Sequence, residues 1–316
     1  MATVAITGAT GFIGRRLLTT LADDGWRCRV LVRRDDGRPW PPDTTPVPGS
    51  LEDENSLERL VTGVDAVVHC AGRVRGATRR GFSQVNAEGT ARLVQVLNRQ
   101  SPPPYTVMLS SLAAREPRLS AYAASKREAE RRLALGGERL HWAILRPPAV
   151  YGPGDRELLP LFRALLWGVG PVFGAPGARL SLIHVDDLVA AIHACLRRRP
   201  EGLFELHDGK SAGYDWADIL AIAATVRGGP VRRLPVPGWL LGALGRGNLL
   251  FSALLGRSPM LTPGKVRELR HPDWVCDNAA FSAASGWVPR IGLAEGLRQF
   301  HDTHRDARAS RVDRQV

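Results

Sequence analysis

The stretch from Val4 to Leu18, VAITGATGFIGRRLL, constrains this chain more than any other. Val4–Ile6 has the unbroken apolar character of a short buried strand. Phe12, Ile13, Leu17, Leu18 and Leu21 then recur at helical spacing. Gly8, Gly11 and Gly14 therefore fall on a strand-to-helix turn, the context that separates a dinucleotide fingerprint from a chance match. Without a Cβ, Gly8 and Gly11 let the backbone turn sharply and approach a pyrophosphate. Gly14 lets the helix pack closely on the strand. The helix N-terminus presents unpaired N–H groups and a partial positive charge to the phosphates.

The first half of the chain keeps this alternation. Strands are expected near 3–7, 28–33, 65–70, 105–110 and 141–145, with helices near 12–23, 53–62, 80–99 and 121–135. Parallel strands need such crossovers, so the pattern predicts an α/β fold with a doubly wound parallel sheet. The stretch RPWPPDTTPVPGS after the second strand reads as a proline-rich loop. After Tyr151 the rhythm breaks and helices dominate. Residues 1–155 are expected to form the dinucleotide-binding domain, with 180–206 returning to it through a helix near 187–198 and a strand near 203–206. Residues 156–316 are expected to form a smaller, mainly helical lobe over the carboxyl edge of the sheet, where open α/β sheets bind ligands. The polar tail from His304 is expected to fray.

At 316 residues, the chain is long enough to bury a substantial core, and its 44% hydrophobic and 23% charged content is that of a globular protein. The net charge of +12 raises nucleic acid or an anionic surface as partners. The arginines are scattered, however. The runs Arg197–Arg199 and Arg232–Arg233 are short and lack interleaved aromatics, so no nucleic-acid partner is expected. Lysine is limited to Lys126, Lys210 and Lys265. No secretory signal is expected, since a strand begins at residue 3. Cys28, Cys70, Cys195 and Cys276 lack metal-ligand spacing and read as reduced, buried thiols of a cytoplasmic protein without a metal. No apolar run is long enough to span a bilayer. The segment WLLGALGRGNLLFSALLG from Trp239 comes nearest, interrupted by Arg246 and Asn248. It reads as helices lining a pocket or interface, with peripheral membrane contact as the alternative.

Two further stretches carry chemistry. VMLSSLAA is a strand ending in Ser110–Ser111, and AYAASKREAE places Tyr122 and Lys126 four apart on one helix face. A tyrosine that exchanges protons needs its pKa of about 10 brought down. A neighbouring ammonium does so by stabilising the phenolate.

With these motifs in order, the chain resembles the extended short-chain dehydrogenase/reductase family, on the reductase and hydroxysteroid-dehydrogenase side. The resemblance rests on TGATGFIG, VDAVVHCAG, VNAEGTARLV, the Ser-Ser strand, YAASK, LRPPAVYGPG and HVDDLVAAI, and covers almost the whole chain. It implies a Rossmann-type fold. It implies that Ser111 orients the reacting oxygen, Tyr122 exchanges its proton, and Lys126 holds the nicotinamide ribose and tunes Tyr122. Asn86 matches the family asparagine that supports a proton-relay water, with a helix cap or turn as its other reading. The implied cofactor contacts are Gly8, Thr10, Gly11, Phe12, Ile13, Gly14, Arg33, Arg34, Leu51, Ala71, Gly72, Tyr122, Lys126 and Pro147. Family members often dimerise through helices matching 80–99 and 121–135, which leaves monomer or homodimer.

Four departures narrow the function. Arg33 and Arg34 close the second strand where NAD-preferring relatives offer a carboxylate, which favours NADP, while Asp35 and Asp36 keep NAD open. The stretch GSLED places Ser50 and Leu51 where the family often has an aspartate near the adenine. Leu112-Ala113-Ala114 follow Ser111 where dehydratases carry acidic residues. Leu180-Ser181-Leu182 replaces the arginine-bearing run of sugar-nucleotide epimerases, with Arg179 displaced by one residue, and the Ser111–Tyr122 interval is short. The expected function is NADP(H)-dependent hydride transfer to or from a carbonyl or secondary alcohol of a small, relatively apolar substrate. Trp216, Trp239, Phe251 and Trp274 are candidate lobe-core or substrate residues. The alternatives are a sugar-nucleotide epimerase, with Arg156, Arg163 and Arg179 supplying charge, and a nucleotide-bound scaffold that has lost turnover.

Overall fold

The computed structural model describes residues 2–312, apart from 35, 36, 38, 176, 255–258 and 260. Of residues 250–254 and 303–312, only the backbone is described. The chain opens with β1 (Thr3–Thr7), α1 (Phe12–Asp23), β2 (Arg27–Val32), β3 (Thr44–Pro48), α2 (Glu54–Val61) and β4 (Ala66–His69). It continues through α3 (Arg79–Ser83), α4 (Gly89–Asn98), β5 (Tyr105–Leu109), α5 (Ala121–Ala134) and β6 (Trp142–Arg146). After β7 (Ala149–Tyr151), α6 (Leu159–Leu166), β8 (Val169–Val172), β9 (Arg179–Leu180) and β10 (Leu182–His184), α7 (Val185–Arg198) leads into β11 (Gly202–Glu205). The remainder is α8 (Trp216–Arg227), β12 (Arg232–Pro235), α9 (Gly238–Leu254), α10 (Pro263–Leu269), β13 (Asp273–Trp274), α11 (Ala279–Ser285) and α12 (Leu293–Val312).

Seven strands form one parallel sheet in the order β11-β6-β5-β4-β1-β2-β3. The two-residue period of a strand divides its side chains between two cores. Val4, Ile6, Val30, Val68, Val107 and Leu145 pack against α1 and α7 on one face. Ala5, Leu31, Val67, Met108 and Ile144 pack against α2, α4 and α5 on the other. Both faces are covered, which is why these strands read as unbroken apolar runs. This is the doubly wound Rossmann-type arrangement that the alternation predicts.

The proline-rich stretch departs from expectation, because Thr44–Pro48 is the edge strand β3 rather than loop. Gly49 N–H donates to the Val32 carbonyl at 2.9 Å. By the strand period, positions 46 and 48 then turn their nitrogens away from β2. Pro46 and Pro48 thus cost no hydrogen bond to the sheet, and they give no donor to a further strand. The expected helix over 80–99 is also different. It is split by a π-helical turn at Gln84–Glu88 between α3 and α4, and such turns recur at functional sites.

Beyond Tyr151, three two-stranded parallel pairs, β7–β10, β8–β12 and β9–β13, accompany the helices. Tyr151, Phe162, Leu182, Tyr214 and Leu297 centre a third core. The segment from Trp239 is one helix, α9, as far as Leu254, rather than several. The tail expected to fray from His304 continues α12 to Val312. Among the described residues, no helix is long and apolar enough to cross a membrane.

Candidate active site

The glycine turn is built as its spacing requires. Gly8 sits at φ +77°, and a Cβ there would approach Ala71 N to 2.6 Å. At Gly14 a Cβ would fall 2.1 Å from the Gly8 carbonyl oxygen, so α1 can lie against this loop only with glycine at that position. Gly11 is different. It caps α1 without a side-chain bond, and a Cβ on it would meet only the Gly8 oxygen, at 3.3 Å. A side chain at Gly11 would instead fill the cradle in front of the free N–H groups of α1, so these residues fit a pyrophosphate. Thr10 is exposed, Phe12 and Ile13 are half-buried, and the Thr10 carbonyl accepts from Arg15 Nε at 2.8 Å. Arg33 and Arg34 lie exposed just past the end of β2, while Asp35 and Asp36 lie outside the described residues. Leu51 packs against Gly89 at the start of α4.

The end of β4 is fixed by a buried chain of hydrogen bonds. Thr7 Oγ1 and His69 Nδ1 are 2.7 Å apart, and His69 Nε2 and Thr90 Oγ1 3.1 Å. Thr90 Oγ1 in turn donates to the Asn86 carbonyl at 2.6 Å. Burial, helped by the Lys126 charge, lowers the His69 pKa to about 3, so the ring stays neutral. Thr7 Oγ1 also accepts from Ala71 N–H at 3.2 Å.

Asn86 lies within the π-helical turn, buried, and its amide is fully engaged. Its Oδ1 accepts from Arg73 N–H at 2.7 Å, while Nδ2 donates to the Arg73 carbonyl at 3.1 Å and to Ser125 Oγ at 2.8 Å. In this arrangement it ties the loop after β4 to α5. Gly72 lies between Asn86 and Lys126: a Cβ there would sit 3.4 Å from Asn86 Oδ1 and 3.7 Å from Lys126 Nζ.

The two serines closing β5 diverge. Ser110 Oγ donates to Glu130 Oε1 at 2.6 Å, and Glu130 also holds Arg146 through Nε and Nη2 at 2.8 and 2.7 Å. Ser111 turns the other way and caps a short helical turn at Ala113 N–H, and its hydroxyl acts to lower the Tyr122 pKa. Pro147 is buried nearby, and its carbonyl accepts from Leu112 N–H at 2.8 Å. Ser120 caps α5, which places Tyr122 in its first turn and Lys126 one turn on.

Tyr122 and Lys126 take different partners in the structure. Lys126 Nζ donates to the Leu109 carbonyl at 2.6 Å, and burial lowers its pKa to about 8 despite the favourable charge of Glu130. Burial raises the Tyr122 pKa above its ordinary value, only partly offset by Ser111 and by the Lys265 ammonium. Lys265 comes from α10. It ion-pairs with Glu268 at 3.0 Å, and Glu268 accepts a short hydrogen bond from Ser120 Oγ. Sequence reasoning missed this pair. The one signal was that Lys265 is among three lysines in the chain.

Tyr122 and Lys265 line a cavity of about 160 Å³ whose other walls include Val74, Phe82, Leu249 and Pro263. Trp216 and Trp274 are not on that lining. Trp216 Nε1 donates to the Phe173 carbonyl at 2.6 Å, and Trp274 Nε1 to the Glu268 carbonyl at 2.8 Å, so both pack the C-terminal region. Trp239 is exposed, and the side chain of Phe251 lies outside the described residues. Arg179 donates to the Ala212 and Gly213 carbonyls and ion-pairs with Asp215 and Asp218, both at 3.5 Å. Arg156 and Arg163 are exposed. Among the described residues, no group of three or more His, Cys, Asp or Glu side chains is placed to hold a metal.

The model of the NAD dependent epimerase/dehydratase family matches residues 4–205. The chain belongs to that family. Over 310 residues it is 42% identical to the ceramide reductase of Caulobacter vibrioides, covering 96% of this chain and 95% of that protein. A second relative is the 3-beta-hydroxysteroid dehydrogenase of Mycolicibacterium neoaurum, 27% identical over 59% of this chain and 58% of that protein. Among solved structures, a human epimerase family protein crystallised with NADPH superposes with a TM-score of 0.73. It is 18% identical and covers 95% of this chain and 98% of its own. The chain is accordingly an NAD(P)-dependent oxidoreductase of the extended short-chain dehydrogenase/reductase type, and its cofactor is a nicotinamide dinucleotide.

Proposed function

We propose that the chain uses NADPH to reduce a ketone on a long-chain, ceramide-like lipid. The observation that carries this reading is the cavity in which Tyr122 faces Val74, Phe82, Leu249, Pro259 and Pro263, with Lys265, Arg267 and Glu268 on the remaining wall. The 42% identity to a ceramide reductase supports the substrate class. Arg33 and Arg34, exposed past β2, suit the 2′-phosphate of NADPH. Arg179, held by Asp215 and Asp218, is not free to grip a sugar-nucleotide diphosphate, which disfavours epimerisation.

When bound, the nicotinamide supplies a hydride to the carbonyl carbon. The chain's own residues handle the oxygen and the proton. Ser111 donates a hydrogen bond to the substrate oxygen, and Tyr122 passes its hydroxyl proton to that oxygen as negative charge develops there. Burial raises the Tyr122 pKa and so favours the protonated hydroxyl that a proton donor needs. Lys126, anchored at Leu109 beside Gly72, is positioned to hold the ribose. Asn86 holds the Arg73 loop against α5. Within 180–206 only β11 joins the seven-stranded sheet, with α7 packed on its face, and the other residues beyond 155 supply the substrate lobe.

The test is NADPH oxidation with a ketone-bearing ceramide, simple apolar ketones and a panel of sugar nucleotides. We expect turnover to be highest with the long-chain ketone. Faster turnover of a sugar nucleotide than of every apolar candidate would overturn the reading.

A further inference from the structure

We infer that the outer face of α9 docks on an anionic lipid surface. Apart from Arg246 and Asn248, this helix is built of apolar and small residues through Leu249. Inward, Leu241 is buried, Gly245 packs against Val266 of α10, and Leu249 lines the Tyr122 cavity. Outward, at helical spacing, Trp239 is 75% exposed and Leu244 52%, with Leu240 and Ala243 beside them. Apolar side chains exposed together on a helix face mark a surface from which a partner would exclude water. Among the described residues only one side has protein against it, and Leu234 of β12, four residues before the helix, is exposed as well.

Charge identifies the missing neighbour. Residues 219–267 contain no aspartate or glutamate in 49 positions, against seven arginines and lysines. Arg232 and Arg233 are exposed immediately before Leu234, Arg246 is exposed on α9, and the Arg270 guanidinium lies against Gly238 at the start of the helix. Exposed apolar side chains, an exposed tryptophan and arginines in a stretch without acids suit a helix lying in the plane of an anionic membrane. At 17 residues, the helix is about 25 Å long, enough to lie in the interface. Docked this way, α9 brings the wall of the Tyr122 cavity to the lipid. Uptake of a lipid substrate by that route rests on the reading above, whereas the docking does not.

The experiment is flotation of the full chain with vesicles of phosphatidylcholine alone and with about one third phosphatidylglycerol. Binding is expected to the anionic vesicles and to fall at least about tenfold in the variant Trp239→Ser/Leu240→Ser/Leu244→Ser. Because these side chains are exposed, the variant should keep the native Tm and NADPH affinity. In a second measurement, brominated lipids should quench the fluorescence of the native chain, and the quenching should drop in Trp239→Phe, which keeps the apolar face. Equal vesicle binding by wild type and the triple variant would show that the overall charge of +12 acts alone and would overturn the proposal. So would no binding at all, or a wild-type dimer that the triple variant converts to monomer, since a second copy would then cover the face. Turnover is not the readout, so loss of the ketone-reductase reading would leave this test intact.

Discussion

Lys126 Nζ donates to the Leu109 carbonyl oxygen at 2.6 Å, tying the middle of α5 to the last residue of β5. This bond fixes one turn of α5 against the carboxyl end of the sheet, where Ser111 and Tyr122 meet. It also gives a buried ammonium a definite partner, and burial still lowers its pKa from 10.5 to about 8. The charge is therefore held for position at an electrostatic cost.

That cost is measurable as a pH dependence of stability. Between about pH 8 and 10.4 the unfolded chain keeps the Lys126 proton that the folded chain has released, so the unfolded state binds more protons and stability rises with pH. The contribution is fully present above the unfolded pKa and is lost as pH falls through about 8. Denaturation of wild type and Lys126→Met across this range should give a difference that shifts in favour of wild type by on the order of 2–3 kcal/mol. A pH-independent difference would show that Lys126 titrates normally.

The glycines of the first turn should separate by function. Gly11→Val is expected to abolish cofactor binding with a Tm close to native, because the added side chain enters the cradle. Gly14→Ala should instead lower stability by about 1–3 kcal/mol, since its Cβ would collide with the Gly8 carbonyl. Thermal melts and cofactor titrations on both variants check this contrast.

Cofactor choice should follow Arg33 and Arg34. The charge-assisted bonds of a 2′-phosphate are worth about 1.5–3 kcal/mol. Replacing both arginines by alanine should weaken NADPH binding by about 10- to 100-fold and leave NADH nearly unchanged. Fluorescence titration of both cofactors reads this directly, and equal affinities in the wild type would mean that the arginines serve only the solvated surface.

How legible the molecule was in its sequence depended on the range of the contacts involved. The glycine turn is local geometry, so Gly8, Gly11 and Gly14 could be assigned from spacing alone. The strands of the sheet interior could also be read, because burial on both faces makes them continuously apolar. Strand β3 was hidden because proline normally argues against a strand, and only the edge position, with Pro46 and Pro48 facing outward, removes the objection. The π-helical turn was hidden because its helix-like period continues through 84–88 while the hydrogen bonds shift by one residue. Lys265 was invisible for a different reason. Its position beside Tyr122 arises only when α10 folds back over α5, and no spacing in the chain records that contact.

The closing prediction concerns that contact. Tyr122→Phe keeps the ring and removes the proton, so turnover should fall by about 10²–10⁴-fold with cofactor affinity almost unchanged. Lys265→Met should keep the hydroxyl but remove the cation that favours its phenolate, leaving burial and Glu268 to raise the Tyr122 pKa further. For reduction, which needs the protonated form, the alkaline limb of the rate profile should then move to higher pH. For oxidation, which needs the phenolate, the rate at a fixed pH should drop. Single-turnover hydride transfer in both directions, followed across pH for wild type, Tyr122→Phe and Lys265→Met, distinguishes these outcomes. If Tyr122→Phe keeps the wild-type rate and profile, Tyr122 is a packing residue of α5, and the proton must come from elsewhere.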